Sequence, residues 1–224
     1  LPFRSVLSTR NPDHFMGDTT VWDEAERALE NVLENNGLDF EINPADAAFY
    51  GPKLDFYVKD SLNREFQCAT VQLDFQLPER FDLTYAAASG NMERPVVIHR
   101  ALYGSFERFI GIIIEHYAGA FPTWLAPVQC IVMTISERFV SYAKEVRNLL
   151  ESQQIRVGLD DRDDKIGAKI REARLELVPY MFIIGEREVE NRTVSVRVRE
   201  EGDIGAMDLN VAVERILAEV DIDF

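Results

Sequence analysis

Between Gly104 and Arg108 the chain reads GSFER, three residues after the β-type run VVIHR. A glycine lets the backbone turn tightly out of a strand, a serine can cap the helix that follows, and the open amides of a helix start favour an anion. Arg108, one turn in, adds a permanently charged planar cation suited to a nucleotide. A capped helix with an arginine in its first turn is also a common surface feature, so its meaning depends on its neighbours. Upstream, AFYGPKLDF sets Tyr50 and Lys53 around a Gly-Pro turn, which reads equally as a core tyrosine beside a solvated lysine. In FQCATVQLDF, alternation puts Cys68, Thr70 and Gln72 on one face and Gln67, Ala69, Val71 and Leu73 on the other. Such a polar stripe suits a polar ligand or plain water. His99 lies among valine and isoleucine, where a histidine is more often a satisfied core residue than a ligand.

Regular elements must hold these residues in place. Val21, Ala25, Ala28, Leu29, Val32 and Leu33 recur at helical spacing, with Thr19 or Thr20 as the N-cap and Gly37 as the stop. The segments 40–42, 53–59 and 65–75 have strand composition and suggest an antiparallel meander. VVIHR is a further strand, and an apolar-faced helix runs from Gly104 or Ser105 to about Tyr117. Pro122 and Pro127 then interrupt regular structure and mark a boundary between domains 1–121 and 122–224. Beyond it strands and helices alternate: strands at 130–135, 155–160, 180–185 and 193–199, and helices near 140–150, 165–177 and 209–220. The fold class is α/β (α+β).

The chain has 224 residues, with 46% hydrophobic and 28% charged positions, which suits two globular domains with packed cores. Its longest apolar run, near 109–114, is far shorter than a membrane span of roughly 20 residues. Cys68 and Cys130 are the only cysteines, too few for a disulfide framework and too few to close a zinc site, so a reducing, cytoplasmic setting is expected. The net charge of −15 argues against indiscriminate nucleic-acid binding and requires any RNA contact to be local. The opening LPFRSVLSTR reads as a strand from within a domain, and further sequence is expected upstream.

The whole stretch RPVVIHRALYGSFERFIGIIIEHYAGAFPTWLAPVQ, together with AFYGPK and FQCATVQLDF, resembles the threonyl-tRNA synthetases, which are class II aminoacyl-tRNA synthetases. The resemblance implies the rear part of an antiparallel-sheet catalytic domain followed by a mixed-sheet anticodon-binding domain. It implies that Arg108 binds ATP with Ser105 beside the nucleotide, and that Lys53 reaches toward the activated carbonyl. By the same likeness Gln67 and Thr70 lie near the nucleotide, while Tyr50, Gln72 and Cys68 line a threonine pocket. Ala69 stands where many members have glycine. His99 matches one of three protein ligands of a zinc ion that holds threonine by its amino and hydroxyl groups; the other two belong to segments outside this sequence. The implied substrates are Mg-ATP, L-threonine and tRNA(Thr), and the implied assembly of the whole protein is a homodimer. The first two class II motifs are not found, so the chain alone is expected to be inactive.

From Trp124 onward the likeness is to the anticodon-binding domain, and by position Ile135, Lys165, Arg171, Glu188 and Arg197 would touch anticodon bases or phosphates. Asp163 stands where asparagine is usual, and Leu177 where some members carry a basic residue. On composition alone Lys165, Lys169, Arg171 and Arg174 read as a solvated helix face paired with Glu172 and Glu176. Two rival readings stand beside the ligase. One is a non-catalytic RNA-binding module, which has no use for Tyr50, Lys53, Gln72, His99 and Arg108 together; the other is an unrelated α/β nucleotide-binding protein, against which stands that no glycine-rich phosphate loop follows any predicted strand here.

Overall fold

In the computed structural model, which describes residues 1–220, the first helix starts one residue earlier than the threonines suggest. Asp18 is the N-cap: its Oδ1 accepts from the Thr20 amide at 2.7 Å and from the Thr20 hydroxyl at 2.6 Å, so that hydroxyl is already engaged. The helix, α1 (Thr19–Asn35), buries Trp22, Ala25, Leu29 and Leu33, a stripe spaced three and four residues apart. Val21 and Val32, counted above with the apolar face, are exposed.

Leu1–His116 form one compact unit. Its five-stranded sheet comprises β1 (Phe3–Ser8), β2 (Phe40–Asn43), β3 (Lys53–Lys59), β4 (Glu65–Asp74) and a strand at Val97–Ala101, in the order β2-β1-β3-β4 and then Val97–Ala101. The expected meander holds from β3 onward, where neighbours are antiparallel. It fails at β2, which lies parallel to β1 because α1 carries the chain back between them, as a parallel pair requires. Leu29 and Leu33 of α1 meet Leu7 and Leu54, with Phe56, Val71 and Leu73 packed around them, so one sheet face is closed by the helix. The same alternation turns Lys53, Asp55, Thr70 and Gln72 to the opposite face.

Between β4 and the strand at Val97–Ala101 stand three small elements that the sequence did not signal. They are α2 (Gln76–Arg80) and the two-residue strands β5 (Tyr85–Ala86) and β6 (Met92–Glu93). The strand Val97–Ala101 is therefore β7, and α3 (Phe106–Tyr117) follows it.

The second unit, from Tyr117 onward, has the elements β8 (Cys130–Thr134), α4 (Val140–Ser152), β9 (Val157–Asp160), α5 (Ile166–Leu175), β10 (Tyr180–Ile184), α6 (Glu186–Asn191), β11 (Thr193–Val198), β12 (Gly202–Asp208) and α7 (Leu209–Val220). The sheet order is β12-β11-β10-β8-β9, with β8, β9 and β10 parallel and the last two hairpin partners antiparallel. Tyr142, Val146 and Leu150 of α4 and Ala212, Val213 and Ile216 of α7 close one face over Val132, Phe182 and Val196. Ala173 of α5 meets Met133 and Met181 on the other, giving three layers. β12 was not anticipated: GDIGAMD carries two glycines at positive φ and little β-branching, and only its ladder with β11 makes it a strand. At the start of this unit Glu219 accepts from the Thr123 hydroxyl at 2.6 Å and from the Tyr180 phenol at 2.5 Å, tying the entering chain to the last helix. No helix among the described residues is long and apolar enough to cross a membrane.

Lys169 departs from the solvated-face reading: it is fully buried. The period of α5 turns it inward, and its ammonium donates to the carbonyls of Thr134 at 2.9 Å and Asp160 at 3.2 Å, with the Asp160 carboxylate 3.7 Å away. It thereby straps together the ends of β8 and β9. Lys169→Met keeps the volume but strands two carbonyls, and urea denaturation should show a loss of about 2 kcal/mol in stability.

Candidate active site on the open sheet face

The alternation expected for β4 breaks at Cys68. Phe56 pairs with Ala69 and Tyr57 with Gln67, so Cys68 has no partner of its own and forms a β-bulge. The extra residue re-phases the strand and moves Gln67 to the face of Thr70, against the expectation that they lie on opposite faces. Both side chains reach one acceptor: Gln67 Nε2 donates to Asp55 Oδ1 at 2.5 Å and Thr70 Oγ1 donates to it at 2.6 Å. The other carboxylate oxygen of Asp55 accepts from Lys53 Nζ at 2.6 Å. Asp46 stands 3.2 Å from the same ammonium. Burial pushes the Lys53 pKa down, but the hydrogen bonds and charges of Asp55 and Asp46 outweigh it and leave the group above the ordinary lysine value.

At the other end of β4, register pairs Gln72 with Lys53 on one side and with His99 on the other. The Tyr50 phenol donates to Gln72 Oε1 at 2.8 Å, and its ring meets the His99 imidazole edge-on at 6.0 Å. His99 Nε2 lies 2.9 Å from Asp74 Oδ2, and its side chain is 41% exposed, so it is not the core histidine that its neighbours in sequence suggested. The other oxygen of Asp74 accepts from the amides of Gln76 and Leu77, the first of α2. Burial pushes the Asp74 carboxyl up, yet His99 and these two amides hold it below the ordinary aspartate range. Tyr50, Asp74 and His99, with Met16, Phe49 and Arg80, line a cavity of about 290 Å³. Its size and mixed lining suit a small amino acid better than a whole nucleotide. The sequence reading missed Asp55 and Asp74 here. An aspartate shortly before a Leu-Pro pair is a helix-start signal that marks Asp74, whereas Asp55 gave none, being one acidic residue in a strand.

A carboxylate on one ring nitrogen of a histidine fixes the tautomer and leaves the other nitrogen as a lone-pair donor, the usual arrangement of a metal-ligating imidazole. His99 therefore fits as a single metal ligand. Among the described residues no group of three or more His, Cys, Asp or Glu side chains could hold a metal.

The GSFER segment runs past the bulge. Gly104 has φ +67°, and a Cβ there would stand 3.3 Å from the carbonyl oxygen of Cys68, so both conformation and space call for glycine. The Ser105 Oγ accepts from the Arg108 amide at 3.3 Å and caps α3, as expected. Arg108 lies over the Phe66 ring at 6.0 Å. Cys68 is buried behind the bulge and is not among the residues lining the cavity beside His99. Burial pushes its thiol pKa up, partly offset by the Arg108 charge. From Gln67 to Gln72 the strand covers roughly 16 Å, about the reach of an amino acid joined to a nucleotide.

In the second unit the anticodon candidates stand on two surfaces. Ile135 follows β8, and the Cβ that Gly185 lacks would meet it at 2.8 Å and Glu188 at 3.0 Å. One oxygen of the Glu188 carboxylate accepts from the Gly185 amide at 2.9 Å, capping α6. Lys165 is the N-cap of α5, exposed at the strand ends. Arg171 lies on the outer side of α5 beside Arg174, and Arg174 also lines a small cleft of about 80 Å³ with Arg197 and Arg199. Arg174, read above only as a solvated cation, thus links Arg171 to Arg197. Arg197 itself is 3.3 Å from Asp203.

Residues 13–117 match the family described as tRNA synthetase class II core domain (G, H, P, S and T), and residues 129–219 match the one described as anticodon binding domain. The fold and the matched segments are those of the class II aminoacyl-tRNA synthetases. Among curated relatives, a threonine-tRNA ligase from Clostridium tetani is 55% identical over 215 residues, and one from Acetivibrio thermocellus is 55% identical over 214. Each match covers 96% of this chain and 34% of the relative, so the chain spans about a third of the length of these proteins. A solved structure of the RNA binding domain of threonyl-tRNA synthetase from Cryptosporidium parvum Iowa II superposes with a TM-score of 0.88 at 40% identity, over 99% of this chain and 56% of that one. The chain belongs to the threonyl-tRNA synthetase family.

Gly104→Ala should cost about 1 to 2 kcal/mol through the positive φ and the approach to Cys68. Thermal unfolding measures the loss, and amide exchange should show it as faster opening at the start of α3.

Proposed function

We propose that the protein containing this chain is a threonine-tRNA ligase, which activates L-threonine with ATP to the adenylate and passes it to tRNA(Thr). The observation that carries this reading is the open face of the first sheet. Tyr50, Gln72 and His99 stand together at one end of β4, and Gln67, Thr70 and Arg108 stand beside the other. The cavity beside His99 takes the amino acid, with Tyr50 and Gln72 as its polar contacts. Lys53 meets the carboxylate that is activated, and Arg108, with Ser105 at the capped helix start, meets the nucleotide. Catalysis is mainly positioning and charge stabilisation, with no covalent intermediate on the protein.

His99, with ligands from elsewhere in the protein, would hold a zinc ion, which would supply a Lewis acid able to tell threonine, with its hydroxyl, from valine. What this chain contributes is a histidine oriented by Asp74. Magnesium accompanies ATP. In the second unit Ile135, Glu188, Lys165, Arg171 and Arg197 serve the anticodon, the first by an apolar surface and the cations by contact with phosphates or base edges. The boundary between the catalytic part, 1–121, and the anticodon-binding part, 122–224, falls in the proline-bearing segment. The whole protein is cytoplasmic and homodimeric on this reading.

The test is threonine-dependent exchange of pyrophosphate into ATP by the full-length protein. Exchange with threonine and none with valine is expected; a protein that exchanges without threonine refutes the reading. Arg108→Ala should lower kcat/KM for ATP at least about 100-fold, and an active variant would remove Arg108 from the site. His99→Ala should abolish threonine activation without lowering the melting temperature by more than a few degrees, since His99 lies outside the core. The 224-residue chain alone should show no exchange.

A further inference from the structure

Gly185 joins β10 to α6 and is buried, yet nothing in its own backbone asks for glycine. Its φ of −124° and ψ of −167° are extended values that any residue adopts. As the N-cap of α6 it also forgoes the side-chain bond that serine or threonine gives to a helix start. The reason lies across the sheet end: a Cβ at this position would stand 2.8 Å from Cδ1 of Ile135 and 3.0 Å from Oε2 of Glu188. The second approach is one that ordinary capping boxes meet, since their glutamate reaches back to the amide of a serine or threonine. The first has no such relief. The Ile135 amide donates to the Ile184 carbonyl at 3.0 Å, and the preceding carbonyl, that of Thr134, accepts from the buried Lys169 ammonium at 2.9 Å. With its backbone pinned on both sides, Ile135 could make room only by turning its side chain away.

Resting on the reading of Ile135 and Glu188 as anticodon contacts, we infer that Gly185 is a positioning residue for tRNA specificity: its missing side chain is the seat in which the Ile135 side chain lies beside the Glu188 carboxylate. Ile135 is exposed and supplies an apolar surface for the flat side of a base. One oxygen of Glu188 is held by the Gly185 amide at 2.9 Å, and an ionised carboxylate offers only acceptors, so the other suits an N–H on the edge of that base. The two contacts discriminate only while their spacing is kept, and the bare Cα between them sets that spacing.

The experiment uses the full-length protein and measures aminoacylation of tRNA(Thr) transcripts, one with its native anticodon and three with a single anticodon base replaced. Threonine-dependent pyrophosphate exchange, which needs no tRNA, is measured beside it. Wild type should prefer the native transcript to at least one of the others by about 30-fold in kcat/KM. Gly185→Ala should shrink that preference to within about 5-fold while exchange stays within about 2-fold of wild type. A purely structural role would lower activity on all four transcripts alike and leave their ratios unchanged. Adding Ile135→Val removes the carbon at 2.8 Å and leaves one at 3.8 Å. The double variant should therefore regain at least about 3-fold of the lost preference, or the fold itself if Gly185→Ala alone does not fold. Unchanged ratios in folded Gly185→Ala, or no recovery in the double variant, overturn the inference and leave the ligase reading intact. A wild type that treats all four transcripts alike removes the anticodon reading and the inference with it, and one without threonine-dependent exchange overturns the ligase reading as well.

Discussion

One extra residue in β4 sets up the face on which the candidate site of the first unit depends. Without the bulge at Cys68, strict alternation would turn Gln67 toward α1 and leave Thr70 and Asp55 without their third partner. With it, the two ends of a single strand present different polar groups on one face. The closed face needs Leu54, Phe56, Val71 and Leu73 in register under α1, and the open face needs the phase to change partway along. A bulge satisfies both, because it alters the phase without breaking the ladder.

That open face shows how polar groups are organised without a large cavity. Two buried aspartates, Asp55 and Asp74, each serve several donors and so fix the orientation of less buried polar residues on that face. The second unit uses the inverse arrangement, in which a buried cation, Lys169, serves carbonyl acceptors at two strand ends. In both units a charge removed from solvent positions the groups that remain in it. The stability of each depends on complete pairing, because an unpaired buried charge is worth several kcal/mol of destabilisation, about 3 to 5.

Long elements with strong periodicity were legible in the residues alone: α1, β3, β4, β8, α4 and β10 fall where apolar spacing puts them. Elements whose form depends on partners were not. β2 pairs parallel to β1 although its composition fits a meander, and β12 is a strand only through β11. Of the site, Tyr50, Gln72 and His99 were legible as separate polar residues with ordinary alternatives, and the likeness to a family gave them a common purpose. Asp55 was invisible, since nothing in KLDFYVK separates a buried acceptor for three donors from a solvated strand carboxylate. Lys169 was misread for the related reason that helical spacing alone does not say which face is covered.

The arginines around α5 and β11 stand on a chain whose net charge is −15. At separations beyond about 10 Å in ordinary buffer the field is already screened, and inside that distance the local charges dominate. For a polyanion, the net charge of this chain offers no general attraction, while this surface attracts at short range. Lowering the ionic strength extends the reach of the net and the local charge at once. Such a surface favours a polyanion that matches its spacing, because the chain's net charge supplies no general attraction.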